Sequence, residues 1–205
     1  MKKQLFLSHA WGPDLYMRDN HVRVRKLSSL LKTKGWTTWL DENEIYDNID
    51  YSILNGISNA DAILICLTSS YFSKLNKAIK NPANRDSCLK EWTLASSSNK
   101  ILIPVIMEKY LLNIKNWPMS IISLYLGYTY YFDFSTDDNT SINNFDKRLK
   151  RYNLSPVFTM QPAIIKRQNK LNMLDKLVHS FSTTLKSKGF KNRVKSTGNL
   201  LKIGI

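Results

Sequence analysis

The sequence has few of the residues that build covalently or metal-stabilised scaffolds. It contains two cysteines, Cys66 and Cys88, and three histidines in 205 residues. Two cysteines are too few for a disulfide framework or a four-cysteine zinc site. The histidines, His9, His21 and His179, follow no metal-binding spacing, so we predict no metal.

Phosphate-binding and hydrolase motifs are also missing. The seven glycines never form G-x-G-x-x-G or a Walker pattern, which disfavours a conventional dinucleotide-dependent oxidoreductase or an NTPase. The chain has no G-x-S-x-G elbow, and neither cysteine has a histidine in an obviously paired position. Hydrolase triads therefore have no support in the sequence.

Long apolar runs are absent. The longest, residues 62–67 and 101–107, are broken by serine, proline or lysine within eight residues and are too short to span a bilayer as helices. After Met1-Lys2-Lys3 only Leu5, Phe6 and Leu7 follow before polar residues, too few for the apolar region of a signal peptide. We therefore expect a cytoplasmic protein.

Acidic residues are outnumbered, and the excess of basic residues lies mainly near one end. The chain has 30 Lys and Arg against 16 Asp and Glu, a net charge of +14. Residues 153–205 hold ten basic residues and one acid, a charge of +9, and residues 1–152 hold the remaining +5. We therefore divide the chain into a domain over residues 1–152 and a basic tail over residues 153–205.

The tail has the pattern of an amphipathic helix over residues 162–188. Its apolar positions recur at helical spacing: Ile164, Ile165, Leu171, Leu174, Leu177, Val178, Phe181 and Leu185. Such a helix can dock on the domain or on a second copy, bind an anionic membrane, or contact nucleic acid. Docking or oligomerisation is favoured, because most amphipathic helices are structural and no aromatic residues typical of RNA-binding surfaces interleave the charges.

Strands and helices alternate through the first 152 residues. The apolar and β-branched runs predict strands at residues 5–8, 36–40, 62–67, 101–106 and 124–132, with helices at 21–34, 50–58, 87–97 and 141–152. Residues 68–86 are rich in Ser, Asn and Lys and read as a connection. Alternation of this kind predicts an α/β fold with a flavodoxin-like five-stranded parallel sheet and helices on both faces. Ligands of such sheets lie beyond the carboxyl ends of the strands, near the loops that begin at Ser8, Asp41 and Thr68.

Six short motifs resemble, in order, the landmarks of Toll/interleukin receptor (TIR) domains. They are Leu5-Phe6-Leu7-Ser8-His9, Trp39-Leu40-Asp41, Gly56-Ile57-Ser58-Asn59-Ala60, Thr68-Ser69-Ser70-Tyr71, Cys88-Leu89-Lys90-Glu91-Trp92 and Ile103-Pro104-Val105. The resemblance covers residues 4–152 and leaves out the tail. The segments from Ser8 to Asp14 and from Arg18 to His21 are similar to a stand-alone branch found among microbial eukaryotes.

The resemblance implies one of two functions. Some TIR domains are NAD glycohydrolases that cleave the bond between nicotinamide and ribose, giving linear or cyclic ADP-ribose, in immune or cell-death-like signalling. Others are non-enzymatic scaffolds that act by assembling with like domains. The NAD-cleaving members have a catalytic glutamate at the position of Glu91, so the enzyme is the first hypothesis and the scaffold the alternative. NAD is then a substrate, and no cofactor is expected.

Other site residues follow from the same resemblance. Ser8, His9, Ala10 and Trp11 come after the first strand and would border the substrate pocket, together with Trp39, Asp41 and Cys88. Trp11 can stack on a base or pack under its own loop. His9 is more simply a hydrogen-bonding residue than an acid, because nicotinamide departs as a neutral leaving group.

Residues 41–50 correspond to the loop that TIR domains use for assembly. Its central residues are Glu44, Ile45, Tyr46, Asp47 and Asn48. Asp47 stands where the family usually has a glycine, and both Asp and Asn tolerate the left-handed backbone that such a turn requires. The implied partners are other TIR domains, with a homo-oligomer as the active form.

Overall fold

The computed structural model describes residues 4–41, 48–81, 83, 86–136 and 139–157, with the side chains of residues 139–141 left out. The predicted tail helix over residues 162–188 lies outside this part of the chain. None of the helices within the described ranges is long and apolar enough to cross a membrane.

Five parallel strands form one sheet in the order β2-β1-β3-β4-β5. The strands are β1 (Leu5–His9), β2 (Thr38–Trp39), β3 (Ala62–Leu67), β4 (Ile101–Ile106) and β5 (Phe132–Asp133). The central pairing of β1 with β3 runs in register from Leu5 opposite Ala62 to His9 opposite Cys66. The predicted flavodoxin-like sheet is confirmed.

Helices connect the strands and cover both faces of the sheet. They are α1 (Asn20–Thr33), α2 (Ile49–Asn59), α3 (Ser69–Lys80), α4 (Ser87–Ser97), α5 (Ile121–Leu126) and α6 (Asn139–Arg151), with short 3-10 turns at Lys109–Leu112 and Ile114–Asn116. Helices α1 and α4 each have an aspartate at the N-cap. The Asp19 carboxylate accepts the N–H of Val22 at the start of α1, and the Asp86 carboxylate accepts the N–H of Cys88 at the start of α4. Such caps satisfy amide groups that the helix itself leaves unpaired.

Alternation along the strands divides the apolar core in two. On one face, Phe6, Ile63 and Ile65 pack with α2, α3, α4 and α5. On the other, Leu5, Leu7 and Leu64 pack with α1 and α6. Because neighbouring residues of a strand point to opposite faces, successive side chains at the end of β1 are directed to different helices.

Two sequence predictions were wrong. Residues 69–80 form helix α3 rather than a connection, and the buried side chains Tyr71, Phe72, Leu75 and Ala78 follow a helical period that the surrounding Ser, Asn and Lys obscure. Residues 124–132 do not form one strand. Their first part belongs to helix α5. Ser120 is the N-cap of this helix, and its Oγ accepts the N–H of Ser123 at 3.1 Å. The aromatic residues that suggested a strand, such as Tyr128 and Tyr130, are exposed.

Candidate active site

The sheet has a topological switch at β1. The chain passes from β1 to β2 on one side and then crosses back to β3 on the other. The helices that leave β1 and β2 therefore lie on opposite faces, which creates a crevice at the carboxyl ends of the central strands, where such folds bind ligands.

Ser8, near the end of β1, joins the candidate catalytic carboxyl group to the sheet. Its position places it on the Phe6 face, towards α3 and α4. Its Oγ donates a hydrogen bond to Oε2 of Glu91 at 2.5 Å and lies 2.8 Å from the hydroxyl of Tyr71. Ser8 and Tyr71 are fully buried, so the hydroxyl group that contacts Glu91 is itself held by Tyr71.

Glu91 is a buried carboxyl group and not a solvated helix residue. Only 8% of it is exposed. Burial raises its pKa to about 8; the charges of Asp41 and Asp86 add to this, and the hydrogen bond from Ser8 opposes it. A carboxyl group that titrates near neutral pH inside a crevice is a recurrent property of catalytic sites.

Glu91 borders a cavity of about 430 Å³, a volume typical of small-molecule sites. The lining residues come from the end of β1, the end of β2 and the helices α2, α3 and α4: His9, Trp11, Asp41, Ile49, Ile53, Lys74, Asp86, Ser87, Cys88 and Glu91. A larger hollow of about 930 Å³ lies beside β5 and α6, but its one acidic side chain, Asp133, is exposed. The buried carboxyl group therefore borders the smaller cavity, which is the candidate active site.

Trp11 stands at the mouth of this cavity. Half of it is exposed (52%), and its ring stacks on His21 with centroids 3.9 Å apart. Its Nε1–H donates to Oδ2 of Asp41 at 2.6 Å, and its carbonyl accepts from Nζ of Lys74 at 2.8 Å. The indole is thus held at its edge by the hydrogen bond to Asp41 and on one face by stacking on His21.

Buried charges fix the loop that carries Trp11. Asp14 accepts hydrogen bonds from the guanidinium groups of Arg18 and Arg23 at 2.8 and 2.9 Å. Glu108, fully buried after β4, accepts the N–H of Leu15 at 2.9 Å and the hydroxyl of Ser69 at 2.6 Å. The loop is therefore anchored to both α1 and the start of α3, which gives Trp11 a defined position.

His9 lies on the opposite face of β1 from Ser8 and meets α1. Its Nε2 is 2.8 Å from Nδ1 of His21 and 4.0 Å from Oδ1 of Asp41, while its Nδ1 lies 3.3 Å from the carbonyl of Leu7. Burial lowers the pKa of His9. The imidazole is therefore a neutral hydrogen-bonding group at physiological pH.

Three residues that were predicted to border the pocket are buried and pack against their neighbours. Ala10 is buried, and its carbonyl accepts from Nδ2 of Asn20 at 2.7 Å. Trp39 stacks on Phe6 at 4.3 Å in the core, and neither Ala10 nor Trp39 lines the cavity. Cys88 forms part of the cavity wall, where burial raises the pKa of its thiol, so it is not a reactive thiolate.

The central residues of the predicted assembly loop, Glu44, Ile45, Tyr46 and Asp47, lie outside the described residues. Asn48, which follows them, caps helix α2 by accepting the N–H of Tyr51 at 3.0 Å. This contact gives Asn48 a structural role at the end of the loop.

The sequence analysis did not select several residues that the structure places at the site. These are Tyr71, His21, Lys74 and Asp86. Tyr71 and His21 were part of the motifs that carried the resemblance, so a signal was present. Lys74 lies on α3, which was not predicted as a helix, and Asp86 has the ordinary signature of an N-cap.

Comparisons with known proteins show the family of this chain. A family model of the TIR domain matches residues 5–151, more than half of the chain. A solved structure that resembles this chain is the TIR domain of the Toll-related receptor TRR-2 from the lower metazoan Hydra magnipapillata. It is 15% identical, with a TM-score of 0.47, over 71% of this chain and 97% of that chain. No curated protein matches the sequence. The chain belongs to the TIR domain family.

Proposed function

We propose that this protein is an NAD glycohydrolase that releases nicotinamide from NAD. The observation that supports this most directly is the buried Glu91 carboxyl group, held by Ser8 at the wall of a cavity of small-molecule size. A surface helix residue of a pure scaffold has no need for such an environment, because burying an ionisable group costs stability.

The reaction needs charge stabilisation more than proton transfer. When the bond between ribose C1 and the nicotinamide nitrogen breaks, its electron pair leaves with nicotinamide, which becomes neutral. The ribose acquires the positive charge of an oxocarbenium ion. A carboxylate at Glu91 would stabilise this charge and accept hydrogen bonds from the ribose hydroxyls. Water then adds to C1 and loses a proton, which yields linear ADP-ribose, whereas attack by a nucleophile of the same molecule yields a cyclic product.

The surrounding residues suit the two ends of such a substrate. The exposed face of Trp11 offers a stacking surface for an aromatic ring, and its position is fixed through Asp41 and Lys74. Lys74 is the only lysine or arginine among the residues that line the described cavity, and its ammonium group would face the diphosphate. His9 orients its neighbours and takes no part in proton transfer.

A scaffold that acts by homotypic assembly is the second candidate. The observation in its favour is a set of exposed apolar side chains on the first turns of α2, where the assembly loop ends. Ile49, Tyr51 and Leu54 are 53%, 67% and 45% exposed. TIR domains associate with other TIR domains, and the two functions are compatible if assembly completes the site.

Incubation of the purified chain with NAD at high protein concentration separates the two candidates. Nicotinamide that accumulates in proportion to time, with ADP-ribose or a cyclic isomer as the matching product, supports the enzyme. Unchanged NAD after prolonged incubation of protein that is assembled, as measured by light scattering, would contradict the enzyme and leave the scaffold.

A further inference from the structure

His9, His21 and Asp41 bring three metal-ligating atoms together on the side of β1 opposite Glu91. The atoms are His9 Nε2, His21 Nδ1 and Asp41 Oδ1, all within 4.8 Å of one another. The residues lie at the end of β1, in the first turn of α1 and just after β2. Their sequence spacing matches no metal motif, because three separate elements supply the ligands.

The distances suit a four-coordinate ion. A tetrahedral zinc ion with bonds of about 2.0–2.1 Å holds its ligand atoms about 3.3 Å apart. The separations here are 2.8 Å between the two imidazole nitrogens, and 4.0 and 3.8 Å from these nitrogens to the Asp41 oxygen. Shifts of less than an ångström therefore convert the cluster into a coordination site.

Neighbouring groups already orient two of the ligands. The Nδ1–H of His9 donates to the carbonyl of Leu7, which leaves the lone pair of Nε2 directed at the cluster. The Nε1–H of Trp11 donates to Oδ2 of Asp41, so Oδ1 faces the histidines. The Trp11 ring also stacks on His21. Hydrogen bonds of this kind are typical of the residues that surround bound metal ions.

We propose that His9, His21 and Asp41 form a binding site for one divalent transition-metal ion of the Zn²⁺ class. Two imidazoles and one carboxylate are a donor set that such ions prefer over Mg²⁺ or Ca²⁺. Three protein ligands leave a fourth position, and because His9, Trp11 and Asp41 line the cavity, this position is open to water or to an oxygen of a cavity ligand. When the ion binds, the proton that His21 Nδ1 donates to His9 moves to the other ring nitrogen or to solvent.

The charges around the cavity favour a cation. The carboxylates of Asp41 and Asp86 line it, against the single ammonium group of Lys74, and Glu91 adds a third negative charge once it ionises. A bound ion would also connect Trp11 and α1 to Asp41, the first residue of the predicted assembly loop. This metal site does not depend on the reaction proposed above.

Titration of the full-length, chelator-treated protein with Zn²⁺ in a calorimeter tests the proposal. We expect one equivalent to bind and to raise the melting temperature, and Co²⁺ to give the visible absorption of a four-coordinate site. His21→Gln and Asp41→Asn should weaken binding by about a hundredfold or more. Trp11→Phe, which keeps the ring and removes the N–H, should cost about 10–100-fold.

Matched variants separate this site from other metal-binding side chains of the chain. His179→Gln removes the histidine outside the cluster, and Cys88→Ala removes the nearby thiol; both should bind Zn²⁺ as the wild type does. Melting of each variant without metal shows that it is folded. Absence of stoichiometric binding by the wild type would overturn the proposal. Binding that survives in folded Asp41→Asn and His21→Gln proteins, or disappears in Cys88→Ala, would do so as well.

Discussion

At the scale of single residues, Glu91→Gln separates the charge of the side chain from its shape. The amide keeps an oxygen that can accept the Ser8 hydroxyl but cannot carry the negative charge that stabilises the ribose cation. Loss of one such electrostatic contact commonly costs ~3 kcal/mol, so nicotinamide release should fall by about a hundredfold or more. The measurement is nicotinamide release at equal protein and NAD concentrations. Asp86→Asn, which removes a charge from the same cavity, should lose much less, and a folded Glu91→Gln protein with undiminished turnover would refute the role.

The pKa of Glu91 gives a pH dependence with a definite sign. The pKa of this carboxyl group is 4.5 in the unfolded chain and about 8 in the folded protein. Between these values the folded state holds one more proton than the unfolded state. The free energy of unfolding should therefore decrease as pH rises, by up to about 1.4 kcal/mol per pH unit from this group, and Glu91→Gln should remove that slope. Denaturant melts of both proteins from pH 5 to 9 measure it.

The ionisation of Glu91 should also appear in the pH dependence of activity, which rises with pH whereas the free energy of unfolding decreases. If the ionised form is the active one, kcat/KM rises about tenfold per pH unit and levels off above about pH 8. The positive nicotinamide ring favours the carboxylate, so the profile of kcat should level off at a lower pH than that of kcat/KM. Parallel stability curves for wild type and Glu91→Gln, with a flat rate profile, would contradict the raised pKa.

At the scale of elements, helix α2 packs so closely on the sheet that one methyl group should destabilise it. A Cβ added to Gly56 would lie 2.7 Å from two atoms of the Trp39 ring and 3.0 Å from Phe6. In an exposed helix, glycine to alanine stabilises by about 1 kcal/mol. Here Gly56→Ala should instead cost about 1–3 kcal/mol, because the stacked Trp39–Phe6 pair has to move. Ser58→Ala, an exposed change in the same helix, is the control for thermal melts, and a stabilised Gly56→Ala protein would contradict this packing.

The basic tail is an element that the sequence predicts as an amphipathic helix. Residues 153–157 still contact the domain, since the N–H of Val157 donates to the carbonyl of Gly35 and Leu154 packs on the core. A deletion should therefore begin at residue 158. If the apolar stripe docks on the domain or on a second copy, this deletion lowers the melting temperature or changes the size of the particle. Each buried apolar side chain contributes on the order of 1.5–3 kcal/mol before entropy costs.

A matched pair of point variants distinguishes docking from charge effects in the tail. Leu177→Asp places a charge in the apolar stripe and should reproduce the deletion. Asn172→Asp makes the same change of charge on the opposite side of the predicted helix and should behave as the wild type. Unaltered melts and sizing after deletion, combined with salt-sensitive loss of binding to anionic vesicles or polynucleotide, would favour a membrane or nucleic-acid arm.

The elements also show which parts of the fold a sequence can predict. β3 and β4 are continuous apolar runs between polar segments, and their predicted and observed bounds coincide. β2 is shorter than predicted, because an apolar residue such as Trp36 can be buried outside the hydrogen-bonded ladder. The approach of His9 to His21 depends on the alternation of β1 and on where α1 begins, and no spacing along the chain encodes it. Similarly, the burial of Glu91 arises from the packing of α4 beside β1.

At the scale of the whole molecule, the proposed site borders the predicted assembly loop. Asp41 lies at the cavity wall and is the first residue of this loop, and the segment from Glu44 to Asp47 begins three residues further along the chain. If the loop of a neighbouring copy completes the pocket, the active species is an oligomer. Specific activity should then rise with protein concentration and reach a plateau once assembly is complete, because the population of oligomer follows mass action.

Mixing two inactive variants gives a sharper test of shared sites. Glu91→Gln keeps its loop and lacks the carboxylate, whereas Tyr46→Ala keeps Glu91 and has an altered loop. In a site formed by two copies, some interfaces of the mixture combine an intact Glu91 with an intact loop from the neighbour. Nicotinamide release by the mixture should therefore exceed the sum of the separate proteins at the same total concentration. A mixture that is no more active than its components, together with specific activity that stays constant across a dilution series of a strictly monomeric protein, would show that each copy works alone.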